Sequence, residues 1–317
     1  MGAYLRRRLL QMVPLLFGIS IVVFAVIQAA PGGPEGALLG TGRFIDPSVT
    51  LAYRHRLGVD QPVVVQYVRW LAAALRGDLG VSFSSTRPVA DMIMERLPAT
   101  LELMASSFLF AAIIATLLGT YSALYRHSTL DVIATGASFL GVAMPVFWFG
   151  LILQLIFSVK LGWLPVAGTG TIGATSLGDH LKHLVLPGLV LSFRNIAGWS
   201  RYLRSSLIDV RHADFVRTAR AKGLRERTVV GVHAVRNALI PVVSVMALNV
   251  ADLFSGAVIT ETVFAWPGIG RLFVQAMFAR DYPVLMGILL MGSFTVIVFN
   301  LLADLLYGVL DPRIRYG

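Results

Sequence analysis

The chain has 317 residues, 56% of them hydrophobic and only 14% charged, with a mean hydropathy of +0.74, which excludes a soluble globular domain and indicates a polytopic membrane protein. It contains no cysteine, so disulfides and thiolate metal sites are excluded. The formal net charge of +10 could suit nucleic acid, but membrane proteins hold basic charge on their cytoplasmic connections, and no nucleic-acid partner is expected.

A helix needs about 20 mostly apolar residues to cross a bilayer. Six segments qualify, near 9–30, 98–124, 132–158, 184–200, 238–260 and 284–308. The expected fold is therefore an all-α polytopic membrane protein with six transmembrane helices. The first span follows Arg6-Arg7-Arg8 and exceeds the roughly 7–15 apolar residues of a signal peptide, so it is expected to be retained. After it, residues 31–97 form a long connection. Within it QPVVVQYVRWLAAALR (61–76) has apolar residues at helical spacing and Gly77 to Gly80 supply a stop, so two or three short surface helices are expected.

The third span contains Pro145, expected as a kink packed against a neighbour. The fourth is the weakest, because it carries Arg194 and Asn195. Basic residues set the orientation. The short connections 159–183 and 261–283 carry only Lys160, Lys182, Arg271 and Arg280, whereas 201–236 is densely basic and Arg6–Arg8, Arg126, Arg313 and Arg315 lie on the same side. Short loops decide topology and long loops cross largely regardless of charge. The N-terminus and C-terminus are both expected inside, with 31–97 an extracytoplasmic helical segment. This divides the chain into 1–95, a five-helix core over 96–308 and a tail at 309–317.

Catalytic motifs are absent from the sequence. There is no GxxxxGK[ST] phosphate loop, so ATP hydrolysis is not expected of this chain. A GxGxxG occurs at Gly168-Thr-Gly170-Thr-Ile-Gly173, in a short outer connection with no strand before it and no helix opening on it. A flexible turn accounts for it better than a dinucleotide site. The six His are scattered, and no Ser/His/Asp set has a workable spacing.

The segment Arg201–Arg236 stands out because it is charged, helix-forming and placed between two spans. Asp214 suits an N-cap. Phe215, Val216 and Ala219 make a short apolar stripe, with Arg217, Arg220 and Lys222 around it. Gly223 suits the left-handed position that ends a helix, and Leu224 is the apolar residue expected after it. A second helix can start near Arg225 and lead to Pro241. The pattern describes helix, glycine turn, helix: a compact knob. A solvated basic loop, or one resting on anionic membrane lipid, is the alternative, but it does not explain the glycine break.

The run DFVRTARAKGLRERTVVGVHAVRNALIPVV resembles the coupling loop of ABC-transporter permeases of the dipeptide/oligopeptide/nickel family. Further matches are LGVDQPVVVQYVRWLAAALRGDLGVSF (57–83), RLPATLEL (96–103), MPVFWFG (144–150), ETVFAWPGIGRLF (261–273), ARDYPV (279–284) and NLLADLLYGVLDPRIRY (300–316). They cover most of the chain. In importers generally the loop reads Glu-Ala-Ala, three residues, Gly, and later Leu-Pro. Here those first positions are Arg217, Thr218 and Ala219, the Glu is absent, and the interval from Gly223 to Pro241 is longer than in sugar-type importers. The peptide branch resembles the chain in both respects, and the role of position 217 is left open.

The resemblance implies a second, related permease, two ABC ATPase subunits that each receive a coupling loop, and an extracytoplasmic substrate-binding protein. It implies that ATP and Mg bind those ATPases and that this chain needs no cofactor of its own. It also implies import across a bacterial or archaeal cytoplasmic (inner) membrane, with peptides as cargo. Nickel complexes, glutathione-like peptides and oligosaccharides remain alternatives. The coupling residues would be Asp214, Phe215, Arg217, Thr218, Ala219, Arg220, Lys222, Gly223, Leu224, Arg225 and Pro241.

Polar residues within spans face a pathway or a neighbouring helix. Asn249, Asp252 and Gly256 share one face of the fifth span, Ser293, Asn300 and Asp304 one face of the sixth, and Ser192 aligns with Asn195 beside Arg194 in the fourth. Interhelical hydrogen bonds are the expectation for the Asn and Ser residues. For Asp252 and Arg194 a water-filled cavity or a mutual pair is expected, because an ionised group near mid-bilayer costs roughly 3 kcal/mol. A stand-alone channel or secondary transporter is the competing class, and an intramembrane enzyme a more distant one. A lone transporter would not need the docking loop, and an intramembrane enzyme would need a nucleophile or metal constellation that the sequence lacks.

Overall fold

A computed structural model describes residues 2–29, 55, 60–171, 173 and 176–310. Among the described residues the chain is helical, with no strand and one isolated bridge between Val81 and Pro88. In order the helices are α1 (Gly2–Ala29), α2 (Val63–Ala74), α3 (Val89–Leu124), α4 (Thr129–Ala143), α5 (Val146–Leu153), α6 (Leu177–Arg211), α7 (Asp214–Ala221), α8 (Glu226–Leu248), α9 (Val250–Val263), α10 (Ile269–Ala279) and α11 (Tyr282–Leu310). Two of them include π-helical turns: α5 continues as one over Gln154–Lys160, and α8 contains one at Val229–Val235.

Among the described residues four helices are long and apolar enough to cross a membrane: Leu10–Ala29, Val89–Leu124, Glu226–Leu248 and Tyr282–Ala303. A fifth span is available if Thr129–Gly141 and Val146–Lys160 are taken together, but these are bent by 117°. That is far more than a proline kink. Pro145 does not sit inside a helix; it is the N-cap of α5 with φ −61° and ψ 133°, and Met144 before it is also extended. The residue before a proline is driven out of the helical region by the pyrrolidine ring, and here the chain turns there.

Residues 184–200 lie inside α6, which is 35 residues long but is not among the helices apolar enough to span by themselves. The helix is one-sided. Leu186, Val190, Leu191, Ala197 and Trp199 are buried and pack within the chain, while Arg194 and, nearer the start of the helix, Leu177, Leu181 and Val185 are exposed. The segment 238–260 is not one helix either. A one-residue interruption at Asn249 (φ −79°, ψ −3°) separates α8 from α9, with helix-type bonds from Asn249 N–H to Val245 and from Leu253 N–H to Asn249 on either side of it.

The chain divides into two compact units, Met1–Thr100 with Pro267–Ile297, and Leu101–Trp266 with Val298–Gly317. In the first, α2 occupies the stretch expected to be helical, and Gly77 and Gly80 after it have positive φ (84° and 85°). Tyr67 and Trp70 on α2 meet Phe24 of α1, and Tyr67 shares a 2.8 Å hydrogen bond with Ser20. The loop beyond α2 is held by Asp281, whose carboxylate is 1% exposed. It accepts from the hydroxyls of Ser82 (2.6 Å) and Ser84 (2.7 Å) and from the backbone N–H groups of Phe83 (3.0 Å) and Ser84 (3.1 Å). Four donors allow the carboxylate to be buried.

In the second unit, Trp199, Leu203 and Leu207 of α6 form the spine of a core that takes in Ala111, Ala115 and Ala123 of α3, and Val229, Ala234, Ala238 and Val242 of α8. Small residues on α3 allow close approach. A Cβ on Gly119 would lie 2.7 Å from the Ser200 carbonyl oxygen and 2.9 Å from Leu203 Cβ. Most of residues 31–59, including Arg43, Arg54 and Arg56, and the tail residues 311–317 lie outside the described residues.

Candidate functional site

The core of the second unit continues into the basic segment, so the segment is not a loose loop. Val216 and Ala219 of α7 are 0% and 5% exposed and belong to the same cluster as Leu203 and Leu207. Their burial follows from spacing, since positions three apart share a helix face. Every other residue from Asp214 to Thr228 is exposed. One narrow apolar edge clamps α7 to its own chain, and the rest of its surface is free.

Asp214 is not the N-cap. Ala213 takes the capping position, in extended conformation and with no side-chain bond. Asp214 is the first helical residue, where a carboxylate still complements the positive end of the helix, and its Oδ1 accepts from Arg217 at 3.1 Å. Helix α7 ends in a Schellman turn. Gly223 has φ +75° and donates to the Arg220 carbonyl at 2.9 Å, while Leu224 N–H reaches the Ala219 carbonyl at 3.4 Å. Arg225 is the N-cap of α8. Arg220 donates twice to Glu226, Nη2 to Oε1 at 2.8 Å and Nε to Oε2 at 3.1 Å, a bidentate tie across the glycine turn. Glu226 is one of the residues that sequence reasoning missed; its six-residue separation from Arg220 follows no helical spacing, because the turn intervenes.

Behind the knob, Arg204 of α6 makes a bidentate pair with Asp131 of α4, both bonds 3.0 Å. The Asp131 side chain is 4% exposed and that of Arg204 29%. Asp131 also accepts from His127 N–H at 2.9 Å. Arg211 donates to the Ala123 carbonyl and Ser206 to the Ala238 carbonyl, so the end of α6 is tied to α3 and α8 as well. Pro241 lies within α8 and is exposed.

The residues expected to line a pathway separate into groups. Asn249 is an interhelical bridge: its Oδ1 accepts from Trp199 Nε1 at 2.9 Å and its Nδ2 donates to Asp252 at 3.2 Å. Ser192 and Ser293 do not bond between helices. Each donates to a carbonyl of its own helix, Leu189 at 2.9 Å and Leu289 at 2.7 Å, because a helical Ser hydroxyl reaches the preceding turn without any partner. Arg194, Asp252 and Asn300 are exposed and Asn195 is half-buried. Arg194 and Asp252 form no mutual ion pair, which leaves the cavity expectation for both. The surroundings of Gly256 and the side chain of Asp304 lie outside what the structure describes.

The glycine-rich stretch 168–173 is anchored rather than free. Gly168 N–H donates to the Phe264 carbonyl at 2.9 Å, and Thr171 donates to Asp179 through N–H (2.7 Å) and hydroxyl (2.8 Å). Helix α6 opens shortly after it, contrary to the expectation of no helix there, but no strand precedes it. Close by, both ring nitrogens of His180 face acceptors, Nδ1 the Thr169 carbonyl at 2.8 Å and Nε2 the Glu102 carboxylate at 2.6 Å. Two acceptors around one ring favour the doubly protonated imidazolium. The Glu102 carboxylate, and secondarily the Thr169 carbonyl, raise the His180 pKa above its ordinary value, against burial that lowers it. A raised folded-state pKa stabilises fully below the unfolded value of about 6.5 and is lost as pH rises through the folded value. The detergent-solubilised protein is thus expected to lose thermal stability between about pH 6 and the alkaline side of that raised pKa. His180→Gln should flatten this pH dependence, read by the unfolding midpoint across that range.

These features define a multi-pass helical membrane protein with a basic knob fastened to its core along one apolar edge. Residues 115–316 match the family described as binding-protein-dependent transport system inner membrane component, and residues 1–104 match the corresponding N-terminal component. The chain belongs to this family of transport-system permeases. It is 42% identical over 322 residues to the oligopeptide transport system permease protein AppB of Bacillus subtilis (strain 168), covering 100% of both chains. It is 41% identical over 335 residues to the di/tripeptide transport system permease protein DppB of Pseudomonas aeruginosa (strain UCBPP-PA14), covering 100% of this chain and 99% of that one. It is 41% identical over 313 residues to the glutathione transport system permease protein GsiC of Escherichia coli O6:H1, covering 99% of each. Its fold is similar to a chain of the inward-facing MetNI methionine ABC transporter, with a TM-score of 0.56 at 15% identity, over 69% of this chain and 96% of that one.

Proposed function

We propose that the chain is the permease subunit of a binding-protein-dependent ABC importer, forming half of a pathway for di- or oligopeptides. It is itself non-catalytic. ATP and Mg bind two partner ATPases, a second homologous permease completes the pathway, and an extracytoplasmic binding protein delivers the cargo. The chain lies in the cytoplasmic (inner) membrane with six spans and both termini inside. The four apolar helices, the bent pair α4–α5 and the 184–200 part of α6 supply them. The division into 1–95, the core 96–308 and the tail 309–317 is part of the same proposal.

One observation carries the coupling role: α7 is fastened to the core along Val216 and Ala219 only, and is otherwise exposed. A partner that pushes on the exposed side moves α6 and α8 with it, which is rigid-body coupling. The names of the full-length relatives support peptides as cargo. The test is purification of the tagged protein from its native membrane in mild detergent, followed by reconstitution. ATP-dependent peptide uptake that requires a co-purified ATPase is the expected result. Broken helices are also a mark of transporters that work alone, and the 117° bend is such a break; uptake by this chain without an ATPase would overturn the importer reading.

Exposed Asp252, bonded among the described residues to Asn249 alone, is assigned to the water-filled pathway, where it meets charged peptide termini. Asp252→Ala is expected to lower uptake severalfold while the ATPase stays bound. Equal transport by the variant in reconstituted vesicles would remove Asp252 from the pathway.

A further inference from the structure

The coupling role places α7 against an ATPase without saying what holds it there, and the charges of the knob narrow the answer. This inference rests on the coupling reading. Between Phe215 and Arg236 the sequence has one acidic residue, Glu226, and Arg220 occupies both of its oxygens. Arg217 is paired with Asp214. The cations on the helix proper are thus compensated. The side chains of Lys222, Arg225 and Arg227 have no hydrogen bond or ion pair among the described residues, and all three are exposed. They surround the Schellman turn, whose two backbone bonds present Leu224 outward at 41% exposure.

We propose that the glycine turn, rather than the face of α7, carries the specific contact with the ATPase: Leu224 seats in an apolar socket rimmed by carboxylates that meet Lys222, Arg225 and Arg227. The arrangement has the layout of an interface hot spot, an apolar anchor within a charged rim. Its geometry is set in advance. The Arg220–Glu226 tie and the turn fix Leu224 before docking, so little conformational freedom is lost on contact. Three uncompensated cations on so short a stretch call for negative charge opposite them, and a protein socket, unlike a lipid surface, also takes the apolar tip at a defined position.

The test uses the whole complex, co-expressed with its partner permease, ATPases and binding protein. Lysine occurs only at 160, 182 and 222, and there is no native cysteine, so crosslinks are unambiguous. A zero-length carbodiimide is expected to join Lys222 to a carboxylate of the ATPase, and a Leu224→Cys variant to crosslink to the same surface. Reversing the rim with Lys222→Glu, Arg225→Glu and Arg227→Glu is expected to weaken ATPase retention about tenfold, and to flatten its dependence on salt. Arg126→Glu, an exposed charge outside the knob, should not. Retention unchanged by the rim reversal, or Lys222 crosslinked only to its own chain, overturns the acidic socket while the coupling role stands. So does a reversal that affects only binding to vesicles containing anionic phospholipid. Wild-type complex that retains no ATPase at any salt concentration overturns the coupling reading, and the socket with it.

Discussion

Gly223→Val is expected to leave a folded permease whose ATPase no longer drives transport. Gly223 has φ +75°, and a Cβ there would meet nothing within 4 Å. A Cβ at this position therefore meets open space, and the strain of the substitution lies in the backbone conformation. An L-residue in the left-handed region costs roughly 1–2 kcal/mol, and a β-branched one more. The chain can relieve that strain by opening the Schellman turn, which breaks the Gly223 bond to Arg220 and the Leu224 bond to Ala219 and lets Arg220 part from Glu226. The core contact through Val216 and Ala219 survives, so the protein should still be recovered from membranes in normal amount. The measurement is ATP hydrolysis and peptide uptake side by side in reconstituted complex, with hydrolysis persisting or lost and uptake abolished. Gly223→Asn is the control, because Asn tolerates the left-handed region, and it should keep most of the uptake. Equal coupling in Gly223→Val and wild type would sink the idea that the turn geometry matters.

The second large effect is expected at Arg204. Its guanidinium is the only side-chain cation bonded to the buried Asp131 carboxylate among the described residues. Arg204→Ala leaves that buried carboxylate with no cation and with the His127 N–H and the Ser122 hydroxyl as its remaining donors. Breaking a buried pair from one side costs about 3–5 kcal/mol, enough to lose most of the folded protein. Asp131→Asn should cost less, because Arg204 is 29% exposed and its charge can be partly solvated. Replacing both, as Arg204→Met with Asp131→Leu, should recover much of the stability, since a buried ion pair is often no better than apolar packing. The thermal midpoint of the detergent-solubilised variants, followed by size-exclusion profile, ranks the three. If Arg204→Ala melts within about 1 kcal/mol of wild type, the pair is not what ties α6 to α4.

Both predictions concern the segment most prominent in the sequence, yet only the first could have been made from it. The glycine stop was legible because a Schellman turn is local: Gly223, Leu224 and the residues they bond are within one helical turn. The N-cap was placed one residue too late for the same locality, since Asp214 spends its carboxylate on Arg217 and Ala213 takes the cap position without a side-chain bond. The Arg204–Asp131 pair spans 73 positions and the Asp281 clamp on Ser82 and Ser84 spans nearly 200. No periodicity carries such pairings, because which carboxylate meets which donor depends on how helices cross.

The same division holds for the membrane segments. Hydropathy found α1, the 98–124 part of α3 and α11 because each holds a long apolar run, and it found the helical stretch at 63–74 because its spacing is regular. It misjudged the interior of the bundle. Pro145 announces a disturbance, but its neighbours decide whether a helix bends slightly or turns by 117°. For Ser192 and Ser293, the sequence showed polar side chains without showing that each would be satisfied by its own helix. The chain's class, its basic inner element and the glycine turn were determined by composition and short-range pattern, which act through local backbone preference and through the cost of placing charge in lipid. The partners of Asp131 and Asp281, the Trp199–Asn249 bond and the single buried edge that fastens α7 to the core were decided only by tertiary structure, because a buried polar group is stable only beside donors that distant parts of the chain bring to it.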